Sequence, residues 1–87
     1  MIIEFEEKML NMIDELYSTA TEDELFAGGY LRGHISLSAA DCEEQGITDV
    51  DVLKQRIEAS LHETRSELSP KDRQIVQQVW QDLLRRG

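Results

Sequence analysis

The sequence contains few residues that could cross-link the chain or interrupt it. Its 87 residues include one cysteine, Cys42, and one proline, Pro70. A lone cysteine excludes an internal disulfide and suits a reducing compartment, and one proline excludes a proline-rich linker. No apolar run is long enough to span a membrane, and no segment has the basic and apolar pattern of an export signal. We therefore expect one cytoplasmic domain over residues 1–87, stabilised by packing or by oligomerisation.

Basic residues are also scarce, and their shortage is confined to one half of the chain. Nine Lys and Arg residues stand against eighteen Asp and Glu, for a net charge of −9. Residues 1–44 hold eleven acids and only Lys8 and Arg32 as bases, whereas acids and bases balance in residues 45–87. Such a surface repels nucleic acid and anionic lipid, so we expect neither as a partner. It is compatible with a basic protein partner, or the acidity serves only solubility.

Residues that could form a catalytic or metal site are few and scattered. The two histidines, His34 and His62, belong to no His-Glu-x-x-His pattern, and no cysteine pair is present, so no metal is expected. Cys42 adjoins acidic residues that oppose thiolate formation, and we predict that it is a packed core thiol. We therefore predict a protein that is not an enzyme, with no catalytic residue, no cofactor-binding residue and no cofactor.

Apolar residues recur at helical spacing along the whole chain. The pattern predicts four helices, over residues 2–18, 22–45, 49–66 and 70–85. Their short connections predict an all-α, antiparallel four-helix bundle-like domain, although one splayed or crossing helix is an open alternative. The apolar face of the first helix contains Ile2, Phe5, Met9, Met12, Ile13, Leu16 and Ala20, with Ile3, Leu10 and Tyr17 beside it.

Capping residues define several of these ends. Thr21 and Glu24 form a capping-box pattern at the start of the second helix, and Gly46 is placed for a left-handed turn at its end. Thr48 and Asp51 predict a second capping box at the start of the third helix. A Ser-Pro pair predicts the start of the fourth helix.

The second helix is unusual because it contains three glycines, Gly28, Gly29 and Gly33. Each costs roughly 0.5–1 kcal/mol of stability relative to alanine. At 100° per residue the helix also shows two apolar stripes: Phe26, Gly29, Tyr30, Gly33, Leu37 and Ala40 on one side, and Gly28, Leu31, Ile35, Ala39 and Cys42 on the other. Such a helix is either central in the fold or leaves one stripe for a partner.

The favoured interpretation of the glycines is close helix packing. Gly29 and Gly33 lie four residues apart, and this spacing lets another element approach, for example the Trp80 ring. A groove for a ligand or peptide and a helix kink are the alternatives.

The candidate binding surface lies on this helix and comprises Tyr30, Arg32, His34, Gly29, Gly33, Leu31 and Ile35. The leading hypothesis is a non-enzymatic interaction module that binds a protein partner or itself, and in that case Leu31→Glu or Ile35→Glu would dissociate the complex. The alternative is a binder of a small anionic ligand, with polar contacts from Tyr30, Arg32 and His34. Arg32 also has a purely intramolecular interpretation, in which it neutralises an acid on the first helix. His34 has one too, as a hydrogen-bonded residue at the boundary of the core.

The segment Asp23–His34 contains the pattern Leu-Phe-x-x-Gly-Tyr-Leu-Arg-Gly-His and is followed later by Leu68-Ser69-Pro70 and Trp80. With these features the chain resembles the YfcL family, short proteins of gamma-proteobacteria, over nearly its whole length. The resemblance implies a small cytosolic bacterial protein. It assigns no activity, substrate or cofactor, so it transfers no catalytic residue to this sequence.

Overall fold

Four α-helices make up almost all of the structure, a computed structural model that describes residues 1–16, 18 and 21–87. They are α1 (Ile2–Leu16), α2 (Glu22–Glu44), α3 (Val50–Glu63) and α4 (Pro70–Arg86). A short 3-10 turn, Arg65–Glu67, lies between α3 and α4. The described residues contain no strand. The predicted all-α, four-helix architecture is therefore confirmed.

The ends of α2 are built as the sequence predicts. The Thr21 hydroxyl accepts a hydrogen bond from the Glu24 backbone N–H (3.2 Å), and the Glu24 carboxylate accepts one from the Thr21 N–H (3.1 Å). At the other end Gly46 has a φ of +74°, in the region that favours glycine. The next N–H, that of Ile47, donates back to the Cys42 carbonyl (2.8 Å), as in a Schellman motif.

The start of α3 differs from the prediction by one residue. The helix begins at Val50, and the Asp49 carboxylate caps it by accepting a hydrogen bond from the Asp51 N–H (2.9 Å). The predicted capping box of Thr48 and Asp51 is therefore wrong. Aspartate is a stronger N-cap residue than threonine, which accounts for the shift. The helix ends at Glu63, and the chain then tightens into the 3-10 turn instead of continuing to residue 66.

The end of α1 also differs from the predicted helix bounds, while α2 and α4 end within one residue of theirs. The helix ends at Leu16, two residues before the predicted end. Tyr17 and Ala20, which the sequence places on the apolar face of this helix, lie outside the described residues.

The helix α2 is central, because it packs against each of the other three helices. The buried core draws residues from all four helices. Trp80 is fully buried, and its indole N–H donates to the Glu58 carboxylate (3.0 Å), which joins α4 to α3. No helix in the described ranges combines the length and the apolar character needed to cross a membrane.

Candidate functional site

The two apolar stripes of α2 lie in opposite environments. Leu31 and Ile35, on one stripe, are 0% exposed, and Cys42 on the same stripe is buried as predicted. Leu31 and Ile35 are therefore core residues, and the prediction that they belong to a binding surface is wrong. A glutamate at either position would place a carboxylate in the core, so the substitution would unfold the chain and not merely dissociate a complex.

The other stripe lies on the surface. Phe26 is 42% exposed and Leu37 is 70% exposed, while Gly29, Gly33 and Ala40 are also exposed. We call these five residues the exposed α2 face. Phe26 and Leu37 are the large apolar side chains of this face, and they lie about three helical turns apart.

The glycines of α2 have different surroundings. A Cβ atom on Gly28 would lie 3.2 Å from the Ile13 Cγ2 atom, whereas one on Gly29 or Gly33 would meet no described atom within 4 Å. The predicted close packing is therefore confirmed for Gly28 alone and is wrong for Gly29 and Gly33. In particular, the Trp80 ring does not cover them.

One edge of the exposed α2 face is an aromatic row that is fastened to α3. The Phe26 and Tyr30 rings stack with centroids 6.2 Å apart, and the Tyr30 and His34 rings follow at 4.6 Å. The Tyr30 hydroxyl lies 2.8 Å from the Thr64 hydroxyl, and the His34 Nδ1 atom lies 2.6 Å from the Ser60 hydroxyl. These contacts hold the row in place before any partner binds.

His34 is a hydrogen-bonded boundary residue. Burial lowers the pKa of its imidazole, and the Glu67 carboxylate opposes that effect only in part. The neutral ring is therefore favoured at neutral pH, since the free histidine pKa is already about 6.5. A neutral imidazole here supplies shape and hydrogen bonding to the aromatic row and no positive charge.

The opposite edge of the face is charged and contacts α1. The Arg32 guanidinium lies 3.4 Å from the Asp14 carboxylate, which matches the intramolecular interpretation of this arginine. Nearby, burial and the Glu43 carboxylate raise the pKa of Glu6, against a smaller opposing effect of Arg32. Arg32 therefore offsets part of the negative charge where α1 meets α2.

The three predicted polar contacts do not converge on one pocket. Tyr30 and His34 bond to α3, whereas Arg32 pairs with α1. Gly29 and Gly33 lie between these two edges on open surface. An anionic ligand at the glycines would therefore not meet all three side chains.

Acidic residues lie at both ends of the exposed α2 face. Glu22 and Asp23 are exposed in the first turn of α2, and Asp41, Glu43 and Glu44 are exposed in its last turns. We call these two groups the acidic ends. The apolar centre of the face therefore lies between two patches of the same charge.

A family model of YfcL proteins matches residues 3–85 of the chain. The chain belongs to the YfcL family. It is 38% identical over 89 aligned residues to the uncharacterized protein YfcL of Escherichia coli (strain K12), and the alignment covers 100% of this chain and 97% of that relative. No solved structure matches the chain.

The YfcL resemblance carried by the segment Asp23–His34 is thus confirmed, and the structure shows that this segment forms both the covered and the uncovered side of α2. The candidate binding surface predicted from the sequence omitted Phe26 and Leu37, although these are the largest side chains of the exposed α2 face. Their place on the glycine stripe was the available signal. In the described part of this YfcL protein, no three His, Cys, Asp or Glu residues cluster as a metal site.

Proposed function

We propose that this YfcL-family protein is a helical interaction module, and that the exposed α2 face binds an amphipathic helix of a protein partner. The observation that carries the proposal is the exposure of Phe26 and Leu37 on either side of two uncovered glycines. Among the residues that the structure describes, no packing contact explains why glycine occupies these two helical positions.

The shape of the face suits a helix. From Phe26 to Ala40 the face is about 21 Å long, at 1.5 Å per residue, which corresponds to about 14 residues of a partner helix. Without side chains at Gly29 and Gly33 the partner backbone can approach closely. Complete burial of a Phe or Leu side chain stabilises a complex by about 1.5–3 kcal/mol, and Leu37 has most of that burial still to gain.

Charge complementarity indicates the charge that the partner helix should carry. The acidic ends favour a partner with Lys or Arg at both ends of its apolar stripe. A second copy of this chain would place acid beside acid in either orientation. In a parallel pair Glu22 would adjoin Glu22, and in an antiparallel pair it would adjoin Glu44. The proposed occupant is therefore a basic amphipathic helix of another protein.

Site-specific photo-crosslinking tests this proposal. A photoreactive phenylalanine analogue replaces Leu37 on the exposed α2 face, and in a matched control it replaces Gln55, an exposed residue of α3. After irradiation in an Escherichia coli lysate, the crosslinked peptide is sequenced by mass spectrometry. We expect position 37 to capture a segment with helical apolar spacing and basic residues at both ends, and position 55 not to capture it.

The same assay distinguishes a basic helix of another protein from a second copy of this chain and from an acidic segment. Leu37→Glu should abolish capture by an analogue placed at Phe26, because it adds a carboxylate to the contact, whereas Gln55→Glu should leave capture unchanged. Capture of a second copy of this chain, capture of an acidic segment, or equal yields from positions 37 and 55 would each contradict the proposal.

A further inference from the structure

A cavity of about 300 Å³ opens where α2, α3, the 3-10 turn and α4 meet. Of the residues in the aromatic row, Tyr30 alone lines this cavity. Its apolar lining is Leu61, Leu68 and Val76, of which Leu61 and Val76 belong to the core. A cavity of this size is at the lower end of the range for small-molecule sites, so it suits a compact ligand.

Two arginines, Arg65 and Arg73, contribute to the cavity lining. Each is anchored by one hydrogen bond to a backbone carbonyl: Arg65 donates to His62 (2.6 Å) and Arg73 donates to Leu68 (3.3 Å). Within the described ranges neither guanidinium forms an ion pair. Because a guanidinium carries five N–H donors, both retain donors that a ligand can use.

The charge of the lining indicates a monoanion. One carboxylate, that of Glu58, lines the cavity with the two arginines, and it is held by the Trp80 indole N–H (3.0 Å). His62 also lines the cavity, and with histidine counted as neutral the lining has one net positive charge. A dianion such as phosphate would bring a second negative charge toward Glu58.

We infer that this cavity binds a small monocarboxylate with a compact apolar body. Arginine recognises a carboxylate through paired N–H donors, and the three apolar side chains contact the rest of the ligand. The site does not depend on the proposed protein-binding function, because the exposed α2 face contributes no residue to it.

Titration with benzoate, followed by NMR of the ¹⁵N-labelled full chain, tests the inference. The Trp80 indole N–H is the reporter, because it donates to a carboxylate of the lining. We expect a saturable shift of this signal with benzoate and none with the neutral analogue benzamide. Inorganic phosphate is the third ligand tested. It should bind at least about tenfold more weakly than benzoate, because it lacks an apolar body and brings a second negative charge toward Glu58.

Two glutamines of α4 supply a matched pair of variants that should not disturb folding. Gln77 is exposed and lines the cavity, whereas Gln81, one turn further on, is exposed and does not. Gln77→Glu should weaken benzoate binding by about tenfold or more, and Gln81→Glu should leave it unchanged. No saturable shift in the folded wild-type chain, equal effects of the two substitutions, or tighter binding of phosphate than of benzoate would overturn the inference.

Discussion

At the scale of single residues, the glycines of α2 have two different physical roles. Gly28 is buried, and a side chain there would press on Ile13, so glycine allows α1 and α2 to approach each other. Gly29 and Gly33 are exposed with open space around them. Within residues 1–16, 18 and 21–87, no contact compensates for the helix stability that these two glycines cost. This loss is explained if the flat surface is needed for binding, since sites of function are where stability is commonly sacrificed.

Alanine substitutions distinguish these two roles. Gly33→Ala should raise the free energy of unfolding by about 0.5–1 kcal/mol, because alanine has the higher helix propensity and its methyl group meets no obstacle. Gly28→Ala should give no such gain, because its methyl group would displace Ile13. Urea unfolding followed by circular dichroism measures both values. A stabilisation by Gly28→Ala equal to that by Gly33→Ala would show that Gly28 is not a packing glycine.

At the scale of the helices, capping residues predicted a helix end correctly where one cap was available, and incorrectly where two adjacent residues could each cap the helix. The capping box of Thr21 and Glu24 and the left-handed Gly46 both form, because their bonds join neighbours along the chain. At the start of α3, Thr48 and Asp49 are adjacent and both are residue types that cap helices. The sequence pattern predicted a cap at Thr48, but the hydrogen bond that forms is donated by the Asp51 N–H to the Asp49 carboxylate.

Removal of each cap measures which one stabilises α3. Asp49→Ala should lower the free energy of unfolding by about 1 kcal/mol, the usual effect of losing an N-cap. Thr48→Ala is the matched control and should change it little, because Thr48 is exposed and lies outside the helix. Chemical denaturation of the two variants gives the comparison. A larger loss from Thr48→Ala than from Asp49→Ala would mean that the helix begins one residue earlier.

At the scale of the whole molecule, the sequence predicted that α2 has two apolar sides but could not predict which side is covered. Helical periodicity is a property of one helix, whereas coverage depends on where three other helices pack. The same limit applies to the cavity. Tyr30 and Arg73 lie far apart in the chain, and no spacing rule places them at one cavity. By contrast, the sequence offered the pairing of Arg32 with an acid of the first helix as one interpretation, because the two helices are consecutive, and the structure identifies that acid as Asp14.

Net charge decides how the whole molecule behaves toward a second copy of itself. At neutral pH the chain carries a charge of −9, and the acidic ends repel their equivalents, so we expect a monomer. Near the isoelectric point of about 4.5 carboxylates become protonated, and the repulsion that opposes association of the exposed α2 faces is reduced. Sedimentation equilibrium should therefore show a monomer at pH 7 and reversible association near pH 4.5.

Two exposed apolar residues, Leu37 on α2 and Ile3 on α1, test whether the association near pH 4.5 uses the exposed α2 face. Leu37→Gln should weaken the association near pH 4.5, because Leu37 lies on the exposed α2 face. Ile3→Gln should not, because Ile3 is exposed on α1 instead. A dimer at pH 7 that Leu37→Gln dissociates would mean that apolar burial outweighs the charge repulsion. The exposed α2 face would then be a self-association surface, and the argument for a basic partner would fail.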